Sequence, residues 1–164
     1  MIEIYENLFI GNQYDFENNI RNRFDWATVH ACKEPYHRIL LGYKSRGAPK
    51  NHPEYFFAER GNRLYLNLID TEDPKYIPEV IINKALEFIT SKIINHKTLV
   101  HCNQGESRSP VIGLLYLASI GYFDKVTFNE AENKYKSLYK FYNPKNGIRT
   151  FAINNWYKYI KMGE

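Results

Sequence analysis

The sequence predicts an α/β fold, built on a central, mostly parallel sheet of about five strands with helices on its faces. Three observations lead to this prediction. Short apolar runs end at polar or turn-prone residues, as strands do, and helical patterns lie between and after them. With 164 residues, the chain is also long enough to bury one sizeable core. We expect residues 1–164 to form a single domain, because no repeat, low-complexity tract or Gly/Ser linker divides them.

The strand candidates are short segments rich in apolar, β-branched and aromatic residues. Most of them end beside residues that favour turns. They are IEIY at 2–5, NLFIG at 7–11, WATVHA at 26–31, LYLNL at 64–68 and TLVH at 98–101. Strands that alternate with helical patterns in this way are typical of layered α/β proteins.

The helices are predicted from apolar spacing and from capping residues. A helix within 78–95 has a buried face whose members recur at spacings of three and four residues: Ile82, Ala85, Leu86, Ile89 and Ile93. The stretch 109–120 is apolar nearly all round, which predicts a central helix. Thr127 and Glu130 form a capping-box pattern ahead of a third helix, and a final helix is predicted over 148–161.

Segment 33–62 is the least regular part of the chain. It carries basic residues, prolines and several aromatic side chains, and no strand or helix is predicted within it. Long connections in compact domains often form lids or binding loops. Surface packing without a function is the alternative.

Composition limits the partners and the location of the protein. The net charge of +4 attracts anions, but no run of Lys and Arg indicates a specific nucleic-acid partner. The longest apolar run, at 110–123, is too short to cross a bilayer. The first residues lack the basic and apolar regions of a signal peptide. We therefore expect a cytoplasmic protein without a membrane partner, and a monomer.

The stretch HCNQGESRS, residues 101–109, is the part of the sequence most indicative of chemistry. A helix starting near Arg108, with Pro110 in its first turn, places residues 102–107 at a helix N-terminus, where unpaired N–H groups favour an anion. The same field favours the thiolate of Cys102 over the thiol. Gly105 allows a tight turn, and Arg108 can grip two oxygens with its planar guanidinium. A nucleophile, an anion cradle and a clamp thus come from one short segment.

The alternative is an inert, buried Cys102 beside an Arg that caps the helix. A Cys and an Arg at this spacing are weak evidence by themselves. The His before the Cys, the Gly three residues after it and the Ser after the Arg make the pattern specific. We therefore interpret Cys102 as a nucleophile.

HCNQGESRS resembles the active-site loop of the cysteine-dependent phosphatases, and most closely that of the dual-specificity protein phosphatases. Their pattern, His-Cys-x-x-Gly-x-x-Arg-Ser/Thr, is matched at every defined position. The resemblance extends to NLFIGNQYD at 7–15, LNLIDTEDP at 66–74 and YNPKNGIRTFAINNW at 142–156, whereas 33–62 matches poorly. It implies a phosphatase-like fold with the phosphate-binding loop between a strand and a central helix.

The resemblance also implies a mechanism. Cys102 would attack phosphorus to give a phosphocysteine intermediate. Backbone amides and the Arg108 side chain would hold the phosphate oxygens. The phosphate-binding loop would comprise Asn103, Gln104, Gly105, Glu106, Ser107 and Arg108. Ser109 matches the family hydroxyl that bonds to the thiolate and eases its departure, with a simple helix cap as the alternative. His101 matches the histidine that orders the loop, a structural rather than proton-carrying role.

A leaving oxygen needs a proton, so a carboxylic acid should stand opposite the loop. In the family this acid is an Asp that follows an earlier core strand. Asp70 has that placement, directly after the apolar strand. Asp73 is the second choice, and an ordinary solvated turn is the alternative for Asp73 and Glu72.

Cys32 directly follows the strand candidate WATVHA and ends the run WATVHAC. In some relatives, notably lipid phosphatases, a cysteine at the matching position forms a reversible disulfide with the nucleophile, so Cys32 is a possible redox partner. A small buried side chain is the alternative. His30, Cys32, His37 and His52 follow no compact ligand spacing, and we expect no metal and no cofactor.

The expected substrate is a phosphorylated protein or peptide. The loop has no Lys and carries Glu106, which argues against polyanionic inositol lipids. No counterpart of the tyrosine-recognition loop is visible, so a shallow pocket open to phosphotyrosine, phosphoserine and phosphothreonine is expected. Two alternatives remain: a phosphatase of a nucleotide, an RNA 5′-end or another small phosphate, and a module that binds phosphoresidues without turnover.

Overall fold

A six-stranded mixed sheet forms the centre of the fold in the computed structural model, which describes residues 1–163. The strand order is β1-β2-β6-β3-β5-β4. The strands are β1 (Ile2–Tyr5), β2 (Leu8–Gly11), β3 (Ala27–His30), β4 (Phe57–Arg60), β5 (Arg63–Leu66) and β6 (Thr98–His101).

The inner part of the sheet is parallel, as predicted. β2 pairs with β6, β6 with β3 and β3 with β5 in parallel register, while the outer strands β1 and β4 pair antiparallel with their neighbours. All residues of β3 and β6 are buried, which is expected for parallel strands covered by helices on both faces. The register places His30 beside His101 at the ends of β3 and β6.

The sheet has one strand more than the five predicted, and this additional strand is β4. It lies in segment 33–62, for which no regular structure was predicted. It forms a hairpin with β5, and Gly61 in the turn has a φ of +57°. Glu59 and Arg60 at its end are exposed. A short edge strand with a charged end has little of the apolar signal by which strands are recognised.

Helices cover the two faces of the sheet. The longer ones are α3 (Glu79–Lys92), α4 (Arg108–Ser119), α5 (Phe128–Leu138) and α6 (Asn146–Met162). The short ones are α1 (Gln13–Asp15), which continues as a π-helical turn over Phe16–Ile20, and α2 (Arg38–Leu41), which follows a π-helical turn over Lys33–His37. A 3-10 turn covers Pro74–Tyr76.

The predicted helices are confirmed. Every residue of α4 from Arg108 to Ala118 is buried, so this helix is the central one. In α5, Thr127 caps the helix by accepting from the N–H of Glu130 at 3.3 Å, and the Glu130 carboxylate accepts from the N–H of Thr127 at 3.1 Å. The predicted face of α3 is buried as well, with Ile93 just beyond its end packed against the core. Among residues 1–163, no helix is long and apolar enough to span a membrane.

Candidate active site

The polar loop singled out in the sequence crosses from the end of β6 to the start of α4. β6 ends at His101 and α4 begins at Arg108. Backbone N–H groups at a helix start have no partner within the helix and carry partial positive charge. The loop over 102–107 is therefore a suitable cradle for a tetrahedral anion such as phosphate.

Gly105 allows this loop to close tightly. Its φ of +73° lies in the left-handed region, which residues with a Cβ adopt only at a cost. A Cβ at this position would also lie 3.0 Å from the backbone of Gly11 at the end of β2. Tyr139 holds the loop from outside, because its hydroxyl donates to the Gly105 carbonyl at 2.5 Å.

Cys102 lies at the base of the loop, with its side chain almost fully buried. Its Sγ is 3.2 Å from the Oγ of Ser109, which also donates to the Gly11 carbonyl at 3.1 Å. A serine hydroxyl has a single proton. The Ser109 proton can point to the Gly11 carbonyl while the Cys102 sulfur is protonated, and it can turn to the sulfur when a thiolate forms.

Arg108 is buried and held in a fixed orientation. Its Nη1 donates to the Leu68 carbonyl at 3.0 Å, and its Nη2 donates to Oδ1 of Asn103 at 2.7 Å. Its Nε is buried and has no hydrogen-bond partner within the described residues. A buried donor without a partner costs about 1–3 kcal/mol, so an oxygen atom of a bound anion would be favoured there.

Asn103 joins three parts of the chain through its side-chain amide. Its Oδ1 accepts from Arg108, and its Nδ2 donates to Oε1 of Gln13 at 3.0 Å and to the Glu34 carbonyl at 2.9 Å. The irregular segment 33–62 therefore contacts the loop directly. This contact could not be predicted, because it joins residues 69 positions apart.

Asp70 faces the loop from the other side of the site. Its Oδ1 accepts a hydrogen bond from the Ser107 hydroxyl at 2.9 Å. The Ser107 oxygen in turn accepts from the backbone N–H of Lys145 at 2.9 Å, and the Lys145 ammonium lies 3.4 Å from the Asp70 carbonyl. The carboxylate is thus held by the loop that carries Cys102.

The two other acidic residues near Asp70 have different surroundings. Asp73 caps the turn at Pro74–Tyr76, where its Oδ1 accepts from the N–H of Lys75 at 3.0 Å. The carbonyl of Glu72 accepts from Asn146 at 3.3 Å. Neither acidic side chain lines the pocket that contains Cys102. The geometry therefore favours Asp70 among the three.

A pocket of about 330 Å³ brings these groups together. We call it the active-site pocket. Its lining residues are Asp70, Cys102, Asn103, Gln104, Glu106, Ser107, Arg108, Asn143 and Lys145. Asn143 and Lys145 were not predicted as site residues, and the only sequence signal for them is that segment 142–156 resembles the family. The N–H of Asn143 also donates to the Glu106 carbonyl at 2.8 Å.

His101 and His30 support the loop from below. Burial lowers the pKa of His101 to about 4 and lowers that of His30 well below its usual value, so both imidazoles are neutral. Nδ1 of His101 lies 3.2 Å from the Cys102 carbonyl, and Nε2 lies 2.6 Å from Nδ1 of His30. Since a carbonyl only accepts, His101 carries its proton on Nδ1, and its Nε2 accepts from the Nδ1 proton of His30. His30 was not predicted to take part.

Cys32 is fully buried two residues after the end of β3, which pairs with β6, the strand that leads to Cys102. Burial raises the pKa of its thiol to about 12, although the nearby Arg108 opposes this shift. Both cysteines are free thiols. The role of Cys32 as a redox partner stays a prediction.

The remaining histidine candidates have partners of their own. His37 lies 3.0 Å from the Tyr43 hydroxyl and 2.9 Å from the Glu54 carbonyl, and His52 accepts from the N–H of Glu54 at 2.9 Å. Within residues 1–163, no group of three or more His, Cys, Asp or Glu side chains is arranged to hold a metal ion.

Part of the chain is similar in sequence to a dual specificity protein phosphatase. No family model matches the chain. A curated relative, the dual specificity protein phosphatase PHS1 of Arabidopsis thaliana, is 34% identical over 91 residues, which make up 55% of this chain and 10% of that protein. The chain thus corresponds to a small part of this relative.

Solved structures match almost the whole chain. DUSP15 has a TM-score of 0.62 at 17% identity, and the match covers 99% of this chain and 92% of that one. The human tyrosine phosphatase-like serine/threonine/tyrosine-interacting protein has a TM-score of 0.61 at 19% identity. This match covers 98% of this chain and 96% of that one. The fold is therefore that of the dual-specificity phosphatases, and the resemblance predicted from HCNQGESRS is confirmed.

Proposed function

We propose that this protein is a cysteine-dependent phosphatase that hydrolyses phosphate monoesters on protein side chains. The observation that carries the proposal is the convergence of Cys102, Arg108 and Asp70 on one pocket. A nucleophile, an anion clamp and a proton donor are what phosphoryl transfer to a thiolate requires. The similarity to a dual-specificity protein phosphatase supports the same chemistry.

In the first step, the thiolate of Cys102 forms a bond to phosphorus while the bond from phosphorus to the leaving oxygen breaks. Asp70, in its protonated form, gives its proton to that oxygen, so an alcohol or a phenol departs. The unpaired Nε of Arg108 and the loop amides stabilise the charge on the remaining phosphate oxygens.

In the second step, Asp70 takes a proton from water, and the resulting hydroxide oxygen attacks phosphorus. The bond from phosphorus to sulfur then breaks, and inorganic phosphate leaves. The Ser109 hydroxyl, 3.2 Å from Sγ, donates to the departing thiolate and stabilises it. This step returns Cys102 and Asp70 to their starting forms.

The substrate we propose is a phosphoprotein with phosphate on Tyr, Ser or Thr. Among the loop side chains that line the active-site pocket, Arg108 is the only cation, and Lys145 adds one from outside the loop. A single phosphate fits this charge better than a polyanion. The name of the curated relative, a dual specificity protein phosphatase, favours protein substrates over a nucleotide or an RNA 5′-end. The presence of Cys102, Arg108 and Asp70 in one pocket favours turnover over mere capture of a phosphoresidue. The predictions of a cytoplasmic location, a monomer and no specific nucleic-acid partner stay part of this proposal.

The test is the release of inorganic phosphate from phosphotyrosine, phosphoserine and phosphothreonine peptides by the full chain. We expect wild type to be active on phosphotyrosine and on at least one of the other two, and Cys102→Ser to be inactive on all. Cys32→Ser, which changes the other thiol, is the matched control and should stay active under reducing conditions. Absence of phosphate release by wild type from every peptide would contradict the proposal.

A further inference from the structure

The connection between α5 and α6, residues 139–145, runs beside the phosphate-binding loop. Three hydrogen bonds join the two segments, and each links one residue of the connection to one residue of the loop: Tyr139 to Gly105, Asn143 to Glu106 and Lys145 to Ser107. The three bonds follow chain order in both segments. The connection therefore holds the second half of the loop at three successive positions.

The bond from Tyr139 ends on a loop carbonyl, and a carbonyl fixes the direction of the N–H that follows it. In a trans peptide, the C=O of one residue and the N–H of the next point in opposite directions. The peptide bond between Gly105 and Glu106 is trans. Because the Gly105 carbonyl points to the Tyr139 hydroxyl, the N–H of Glu106 points away from it.

Tyr139 lies on the outer side of the loop, away from the active-site pocket. Its side chain is almost fully buried and does not line the pocket, whereas Glu106 does. The Glu106 N–H therefore points to the inner side of the loop, and it has no hydrogen-bond acceptor within residues 1–163. An unpaired N–H just ahead of a helix is a donor available to an oxygen of a bound phosphate.

The hydroxyl of Tyr139 is suited to hold this peptide because it keeps its proton. Burial raises the pKa of Tyr139, so the phenol is neutral and remains a donor. Gly105 has no side chain to restrict its backbone, and its φ is +73°. Without the Tyr139 hydroxyl, the peptide between Gly105 and Glu106 could rotate and turn its N–H away from the pocket.

We propose that Tyr139 is a positioning residue: its hydroxyl orients the peptide between Gly105 and Glu106 so that the Glu106 N–H donates to an oxygen of the phosphate. Tyr139 itself does not touch the substrate. The inference rests on the proposed function only in that the loop binds phosphate. Removal of one donor to a reacting oxyanion costs about 10²–10³ in rate, and loss of the orienting bond should cost part of that.

The test is a titration of the ¹⁵N-labelled full chain with inorganic phosphate, followed by NMR of the backbone amides. A hydrogen bond to a phosphate oxygen moves the proton resonance of an N–H downfield. We expect the Glu106 N–H of wild type to shift downfield in a saturable manner. Tyr139→Phe removes one oxygen atom and keeps the ring. It should bind phosphate about tenfold more weakly and show a much smaller Glu106 shift at saturation.

Two controls separate orientation from general destabilisation. Tyr159→Phe removes an equally buried hydroxyl, which donates to Asn83 at 2.9 Å, and it should keep the phosphate affinity and the Glu106 shift of wild type. The Ser107 N–H follows a different carbonyl and should shift on phosphate binding in every variant. Tyr139→Met, which fills the same space without a donor, replaces Tyr139→Phe if that variant does not fold.

Three results would overturn the proposal. If phosphate leaves the Glu106 N–H of wild type in place, this N–H is not a donor to the anion. If folded Tyr139→Phe or Tyr139→Met keeps the wild-type affinity and Glu106 shift, the hydroxyl does not orient the peptide. Equal losses of shift at Glu106 and Ser107 would mean that Tyr139 supports the whole loop. None of these measurements involves turnover, so failure of the proposed activity is detected separately, as absence of phosphate release.

Discussion

The hydroxyl of Ser107 donates a hydrogen bond to the carboxylate of Asp70, with 2.9 Å between Oγ and Oδ1. The same oxygen accepts from the backbone N–H of Lys145, so the hydroxyl proton is directed to the Asp70 carboxylate. Ser107 belongs to the phosphate-binding loop, and Asp70 follows β5 by four residues. This bond couples the position of the proposed proton donor to that of the phosphate.

We expect Ser107→Ala to slow the hydrolysis of substrates with poor leaving groups. Without the hydroxyl, the Asp70 carboxyl loses its orientation and part of a general-acid contribution of about 10²–10⁴. The loss should be about tenfold for an alkyl phosphate and smaller for p-nitrophenyl phosphate, whose leaving group depends less on protonation. Ser107→Thr, which keeps a hydroxyl, is the rescue variant. Equal losses on both substrates would show that Ser107 does not act through Asp70.

Asn103 should control the affinity for phosphate through Arg108. Asn103→Ala removes the acceptor that holds Nη2 of Arg108 and frees the guanidinium to move. We expect inorganic phosphate, measured as a competitive inhibitor, to bind about tenfold more weakly. Gln104→Ala, at the next position, keeps the loop backbone and the Arg108 contact, and it should change the inhibition constant little. A weaker effect from Asn103→Ala than from Gln104→Ala would refute this role.

The neutral pair His30 and His101 should make the fold sensitive to acid. Burial lowers both pKa values from the usual 6.5, that of His101 to about 4. The unfolded chain therefore binds more protons than the folded one between these values, and the free energy of unfolding rises with pH there. Stability is thus present above pH 6.5 and is lost as the pH falls towards about 4.

Denaturant unfolding between pH 7 and 4.5 measures this effect. His30→Gln keeps a donor towards His101 but cannot titrate. We expect its free energy of unfolding to fall less steeply on acidification than that of wild type, even if it is lower throughout. His96→Gln, at a partly exposed position, is the control and should keep the wild-type slope. Identical slopes for wild type and His30→Gln would contradict a buried neutral His30.

Cys32 allows a redox prediction. Peroxide should convert the Cys102 thiolate to a sulfenic acid, which can condense with the Cys32 thiol to a disulfide and one water. We expect wild type to regain most of its activity on addition of a thiol reductant, and Cys32→Ser to regain much less because its sulfenic acid oxidises further. Peptide mapping should find the Cys32–Cys102 pair in oxidised wild type. Equal recovery of both proteins would end this hypothesis.

Local sequence signals were sufficient for the parts of the fold that depend on neighbouring residues. The periodic face of α3, the capping box at Thr127 and the loop between β6 and α4 each lie within one short segment. Their apolar spacing or residue types determine the local structure with little help from distant contacts. The edge strand β4 was missed because half of its residues are exposed and charged.

Contacts between distant segments could not be predicted. His30 meets His101 only because β3 and β6 are adjacent in the sheet, and local sequence signals do not reveal the strand order. Tyr139 and Lys145 reach the loop from the connection between α5 and α6. Asp70 was predicted from a family pattern, whereas its bond to Ser107 depends on three-dimensional packing.

The most direct test of the account is the rate of p-nitrophenyl phosphate hydrolysis against pH for wild type, Cys102→Ser and Asp70→Asn. We predict that wild type is active, that Cys102→Ser is inactive at every pH, and that the rate of wild type declines on the basic side as the proton donor ionises. Asp70→Asn should be slower and should lack that basic decline. Activity in Cys102→Ser, or an unchanged basic decline in Asp70→Asn, would contradict the assignment of nucleophile or proton donor.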